Sequence, residues 1–367
     1  MTFRERLLAV LSGQRPDAMP WFADLTYWAH SQRLAGTYPA QYEGDEGFVR
    51  LHADHHVGYY LGYAAVWSSR LDGVEVTSKA DGDLTITRRR TPVGEIWGQR
   101  RFLPATASEA NVKWPVTTPD DLRVLRYIAD ATQTTRTYDQ YEFLRKLCGG
   151  QGHPTVLPPR SPVSQLLAEW TGAVNLSYLL ADAPGEVEAT LEALGRAADG
   201  AYEAILGCDT PFVELPDNLT GEVVTRLFER YQSDYYLRRI PPLQATGKRV
   251  GVHLDGTMRG IMPLLVKTGL DFIESITPKP CGDVAVEDLR DLAGPDIILF
   301  GGIPGAMFAP PFTADDIRRQ VALIIEHHWE SGKFILGAAD QVPPNGDMNL
   351  VRLVGELCEE LCRSWAP

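Results

Sequence analysis

The stretch that decides the fold is Lys248–Gly260, KRVGVHLDGTMRG. An apolar run climbs to Val252, and His253, Asp255 and Gly256 follow within four residues. A short β-branched run bounded by turn residues predicts a buried strand over 250–253. A histidine closing such a strand is either a satisfied core side chain before a turn or a group delivered to a shared site. The ends of the other strands decide between these readings.

Working outward, seven more runs have the length and composition of buried strands: WFADL at 21–25, AAVWSS at 64–69, TVLP at 155–158, FVEL at 212–215, DFIES at 271–275, residues 296–300 with Gly301 following, and FILGA at 334–338. From residue 150 onward they alternate with segments of helical period, the pattern of a parallel sheet with crossover helices. Eight such strands close a (β/α)8 TIM barrel. The helical segment APGEVEATLEALGRAADGAYEAIL follows Asp182 as its cap, and TADDIRRQVALIIEHHWES begins on a Thr-x-x-Asp capping signal. The start, MTFRERLLAVLSGQRPD, is an amphipathic helix that decorates the barrel. Residues 73–103 alternate around Asp81-Gly82 and Pro92-Val93-Gly94, which predicts a β-hairpin insertion within one domain spanning 1–367.

In a barrel of this kind the C-terminal ends of the strands build the active site. Those ends carry Asp24, Arg160, Glu214 with Asp217 and Asn218, His253 with Asp255, Glu274 with Thr277, Gly301-Gly302, and Asp340. Acids and a histidine converging from several strands point to a cation site or to acid/base chemistry. In extended chain, residues i and i+2 share a side, so His253 and Asp255 can face one ion. With Glu214 and Asp340 they make a metal-ligand set of the kind a catalytic zinc uses. The alternative for Asp340 is a loop acid capping the turn before Pro343-Pro344.

Composition narrows the function classes. The net charge is -13 and the one basic run, Arg88-Arg89-Arg90, has no interleaved aromatics, which argues against nucleic acid as a partner. The five cysteines form no CxxC pair, which fits reduced thiols in a cytoplasm. No run approaches the ~18 apolar residues that cross a membrane, and the first helix lacks the apolar centre of a signal peptide.

The blocks MTFRERLLAVLSGQRPDAMP, SPVSQLLAEWTGAVNLSYLLADAPGEVEATLE, GKRVGVHLDGTMRGIMPLLVKTGLDFIESITPKPCGDV, ILFGGIPG and FILGAADQVPP resemble, in order, the uroporphyrinogen decarboxylase superfamily. The resemblance implies a (β/α)8 fold and one of two activities. Decarboxylases of the superfamily carry an Arg-Gln-Ala-Gly-Arg-Tyr motif. Here QRLAGTYPAQY keeps Arg33, Ala35, Gly36 and Tyr38 but has Thr37 at the second arginine, and Ser68 and Ser69 stand where the family's aspartate belongs. The methyltransferase branch moves methyl groups to or from a corrinoid, and its thiol-methylating members bind zinc through His-x-Cys and a later Cys. Those cysteines correspond to Asp255 and Asp340, an oxygen-rich and less thiophilic set. Ether-demethylating relatives use glutamates and a histidine, for which Glu214, Glu229 and His253 are the candidates; Glu229 also reads as a solvated helix position.

The resemblance thus implies a zinc-dependent methyltransferase nearer the methyltransferase-like branch. It would pass a methyl group from a small O- or N-methyl donor to a corrinoid carried by a partner protein. His253 and Glu214 serve as ligands, Asp255 and Asp340 as ligands or supporting acids. Tyr27, Asn218 and Glu274 are expected to touch substrate, with Tyr27, Trp28 and Trp170 as walls for a planar ligand, and a homodimer as in many relatives. The alternative is a metal-independent decarboxylase of a porphyrinogen or smaller carboxylate, with Arg33 and Arg160 holding the acid of a tetrapyrrole-like ligand. A member that only binds a ligand is a third reading.

Overall fold

The structure, a computed structural model, describes residues 1–59 and 63–364. Its centre is a seven-stranded sheet ordered Gly58–Tyr59, Trp21–Ala23, Phe334–Ala339, Ile298–Pro304, Phe272–Ile276, Arg249–Leu254 and Phe212–Leu219. Every neighbouring pair is parallel. The sheet curls back on itself. Its two edge strands both reach the segment 152–156, through isolated parallel bridges from Tyr59 to Gly152 and from Val213 to Val156. Parallel neighbours need long crossovers, and helices such as Ser233–Ala245 and Ala314–His328 supply them.

The N-terminal end of the sheet is closed by an apolar floor. Phe212, Phe272 and Ile298 open their strands, and with Phe22, Phe300 and Ile335 they form a buried cluster with Leu7, Val10 and Leu11 of the helix Phe3–Leu11. That helix begins with a capping box in which Thr2 and Glu5 satisfy each other's backbone N–H. A Cβ at Gly251 would stand 2.1 Å from the Phe272 ring, so the floor needs glycine there. Gly251→Ala is expected to lower unfolding free energy by about 1–3 kcal/mol through overpacking, read from urea denaturation.

Three expectations need correcting. Residues 64–69 are not a strand of the parallel sheet: Gly58–Tyr59 takes that place, and Trp67–Leu71 pairs antiparallel with Thr132–Arg136. The two-residue strand has no apolar run to signal it, and Gly58 lies where a Cβ would meet Phe22. The 73–103 hairpin is part of a four-stranded antiparallel sheet, Glu75–Asp81, Leu84–Thr91, Gly94–Leu103 and Ser108–Lys113. Its fourth strand is polar and mostly exposed, so it lacks the alternation that marks a half-buried strand. Asp182 ends the helix Gly172–Asp182 and does not cap Pro184–Ala197, whose first turn is started by Pro184 with no side-chain cap. The Thr313–Asp316 capping box at Ala314–His328 is present as read.

A separate buried cluster joins Ile96 of the antiparallel sheet to Leu122, Leu125 and Ile128 of Pro119–Asp130 and to Val187 and Leu194 of Pro184–Ala197. Among the described residues no helix is long and apolar enough to cross a membrane.

Candidate functional site

The floor residues and the residues two places further along each strand share one side. Phe212 is followed by Glu214, Gly251 by His253, Phe272 by Glu274 and Phe22 by Asp24. An apolar layer therefore carries a polar layer above it. Register brings three of these groups together: His253 lies opposite Glu274, and Gly251 opposite Glu214. The ligand atoms of Glu214, His253 and Glu274 all fall within 4.8 Å of one another. Both glutamates are 1% exposed.

His253 Nδ1 is 2.5 Å from a Glu274 carboxylate oxygen, while Nε2 is buried with no hydrogen-bond partner among the described residues. Burial works against the imidazolium, but the charge and hydrogen bond of Glu274, then Glu214 and Asp255, outweigh it and hold the ring up at about 9. A ring nitrogen and two carboxylates gathered within 4.8 Å are a ligand set that suits a small divalent cation. Zinc accepts this N/O set, which is harder than a thiolate site.

The charge has a consequence for stability. With the folded His253 at about 9 against 6.5 for the free ring, the interaction stabilises the metal-free protein fully below pH 6.5 and is lost as pH rises through 9. The shift corresponds to at most about 3 kcal/mol. Urea midpoints of metal-free protein are expected to fall across that window, and those of His253→Gln to fall less.

Asp255 and Asp340 are not in the ligand cluster, which corrects the expected metal set. The strand ends at Leu254, Gly256 turns the chain at φ 88°, and the Asp255 N–H donates to Leu219 O at 2.7 Å, so the i, i+2 rule no longer applies. Glu274, expected as a substrate contact, takes the place in the cluster instead. Asp340 opens toward solvent at φ 61° and donates its N–H to Ser275 Oγ at 2.7 Å. Its carboxyl is pushed up by surrounding protein and by Asp255, while His253 pulls it down. Asn218, Ser275 and Asp340 each hold a positive φ at the C-terminal end of a strand, a costly conformation that gathers at functional sites.

The remaining candidates separate. Asp24 is buried between the Thr26 N–H and the Gln341 amide, and burial lifts its carboxyl to about 6. Asp217 is a structural acceptor for the Ser161 N–H, Gln232 and Tyr236. Thr277 donates to Ser275 O. Tyr27 donates to Thr106 O of the antiparallel sheet, and Trp28 packs on Tyr38. Arg33 is taken up at the surface by Glu43 and by the Tyr38 ring, 4.0 Å away. Arg160 binds Asn218 Oδ1 and Glu169, and it lines a cavity with Trp170. Glu229 is exposed on its helix, as the solvated reading expects. Tyr63 was not singled out by the sequence: it is 46% exposed, bridges Thr155 in parallel and carries no periodic signal. Surrounding protein, then the charges of Glu214, Glu274, Asp24 and Asp340, hold its phenol up.

No curated protein matches the chain. Among solved structures it is similar to a methyltransferase from Methanosarcina mazei, with a TM-score of 0.59 and 13% identity over 98% of this chain and 99% of that one, a likeness of fold. The family model for uroporphyrinogen decarboxylase (URO-D) matches residues 102–361, more than half of the chain. With the curled parallel sheet already described, this match establishes that the chain belongs to the uroporphyrinogen decarboxylase family.

Proposed function

We propose that the chain is a (β/α)8-barrel enzyme, its eighth strand supplied by residues 152–156, that transfers a methyl group from a small O- or N-methyl compound to a corrinoid carried by a partner protein. The observation that carries this reading is the buried Glu214–His253–Glu274 cluster, whose ligand atoms lie within 4.8 Å of one another. In this proposal Glu214, His253 and Glu274 hold zinc. Bound there, the metal supplies Lewis acidity to the oxygen or nitrogen that bears the methyl group, a poor leaving group without it. The chain's own part is to remove water, to place donors and to manage a proton. The phenyl floor excludes solvent from below, and Asp340, with its raised carboxyl at the open mouth, is placed to hold or release a proton. The commitment of Arg33 to Glu43 and Tyr38 speaks against a propionate clamp, and with it against porphyrinogen decarboxylation.

The test is metal analysis of purified protein with zinc titration in weakly buffered solution. One zinc per chain is expected, with proton release as His253 loses its proton. Methyl transfer from methoxyaromatics or methylamines to reduced cobalamin should follow metal content. CO₂ release from metal-free protein, with no zinc affinity, would establish the decarboxylase instead.

A further inference from the structure

We propose that a second pocket, between the barrel and the added antiparallel sheet, binds small molecules that join one carboxylate to an apolar body. It stands independently of the metal cluster. The cavity is about 460 Å³ and is walled by side chains of Pro119–Asp130 and Pro184–Ala197, among them Leu125, Ile128 and Leu194. That volume suits a compact ligand, since such sites run from about 300 to 1,000 Å³.

Its charged groups are mismatched. Arg88 and Arg90 face one side of the strand Leu84–Thr91 and pair with Glu95. Arg89 faces the other side, over the Trp170 ring at 5.0 Å, with no carboxylate at ion-pair distance among the described residues. Arg160 meets Glu169 through one nitrogen at 3.4 Å and Asn218 through another at 3.1 Å, while its Nε is buried without a partner. Trp170 Nε1 is likewise buried and unpartnered. Three guanidiniums thus line the cavity with the single acid Glu169; Arg70 is taken up by Asp72, which leaves Arg89 and Arg160 to share Glu169.

A water molecule would satisfy a donor and leave the excess positive charge. A carboxylate answers both, because its two oxygens can accept from a guanidinium edge and bring the opposite charge. A phosphate dianion would bring a second charge against Glu169, so a monoanion matches better. Burial and Arg100 already push the Arg89 guanidinium down from its usual range, a strain that a bound anion would relieve. The apolar walls account for the rest of the ligand: an aromatic ring or short alkyl chain displaces water from Leu125, Ile128 and Leu194.

The probes are benzoate and hexanoate, with benzamide and hexanamide as neutral isosteres, titrated calorimetrically into the full-length protein. One carboxylate per chain is expected, bound at least about tenfold more tightly than its amide. Arg89→Gln and Arg160→Gln should each weaken binding by about tenfold or more, and Leu194→Trp should fill the cavity and abolish it. His253→Gln should leave it unchanged. Equal affinity for acid and amide, no binding of either acid, or full affinity in Arg89→Gln would overturn the proposal. Loss of binding in His253→Gln alone would move the carboxylate to the metal cluster. Arg89 lies in a half-exposed strand of the added sheet, so its variant decides the matter even if Leu194→Trp does not fold.

Discussion

His253→Ala is expected to reduce zinc affinity by more than about 100-fold and to abolish methyl transfer, measured by metal content after dialysis and by turnover with reduced cobalamin. The imidazole is the one nitrogen donor in the cluster, and the ring faces Glu274 directly opposite in register. The same change removes the positive charge that faces two buried carboxylates. Breaking such an arrangement costs about 3–5 kcal/mol, so the metal-free variant should also unfold at lower urea unless a glutamate takes up a proton. Asp255→Asn supplies the contrast. Asp255 acts on His253 only through its charge, so its variant should retain stoichiometric zinc and lower the pH at which the ring titrates. Zinc lost from Asp255→Asn as well as from His253→Ala would return the site to the i, i+2 arrangement.

Asp217→Ala is expected to cost about 3–5 kcal/mol of unfolding free energy without altering zinc stoichiometry, read from urea denaturation and metal analysis. Asp217 is 4% exposed and accepts from the Ser161 N–H at 2.7 Å, the Gln232 amide at 2.9 Å and the Tyr236 hydroxyl. These donors come from the loop after residues 152–156 and from the helical run Phe228–Ala245, so one side chain ties the strand Phe212–Leu219 to two other elements. Alanine removes the acceptor of the buried Ser161 N–H and Tyr236 hydroxyl, while the Gln232 amide keeps Ser161 Oγ and Ser164 Oγ. Asparagine is expected to cost about 1–3 kcal/mol, because its amide nitrogen must face one of the donors that now meet oxygen.

Some of this arrangement was legible in order along the chain. The apolar runs at 212–215, 250–253, 271–275 and 334–338 are local signals, and each lies in a strand of the parallel sheet. The Thr313 cap and the N-terminal helix were legible for the same reason, since capping and helical period depend on residues a few places apart. The second strand was not, because Gly58–Tyr59 is held by pairing with Trp21–Ala23 and by the close fit of Gly58 on Phe22, both distant in sequence. The fourth strand of the antiparallel sheet was missed because an exposed strand has no apolar face to reveal it.

The sequence by itself determined that parallel strands alternate with helices and that His253 and Glu214 lie on two of those strands, and it led to the expectation of a cation or proton site among them. Only the tertiary structure decided which acids share it. Sequence spacing favoured Asp255, two residues from His253, but a turn at Gly256 ends the strand before the alternation can act. The partner is Glu274, 21 residues away, because the neighbouring strand pairs in a register that sets it opposite His253. Register between strands is fixed by packing across the whole sheet, here by the phenyl floor on the N-terminal helix, and no local spacing carries it.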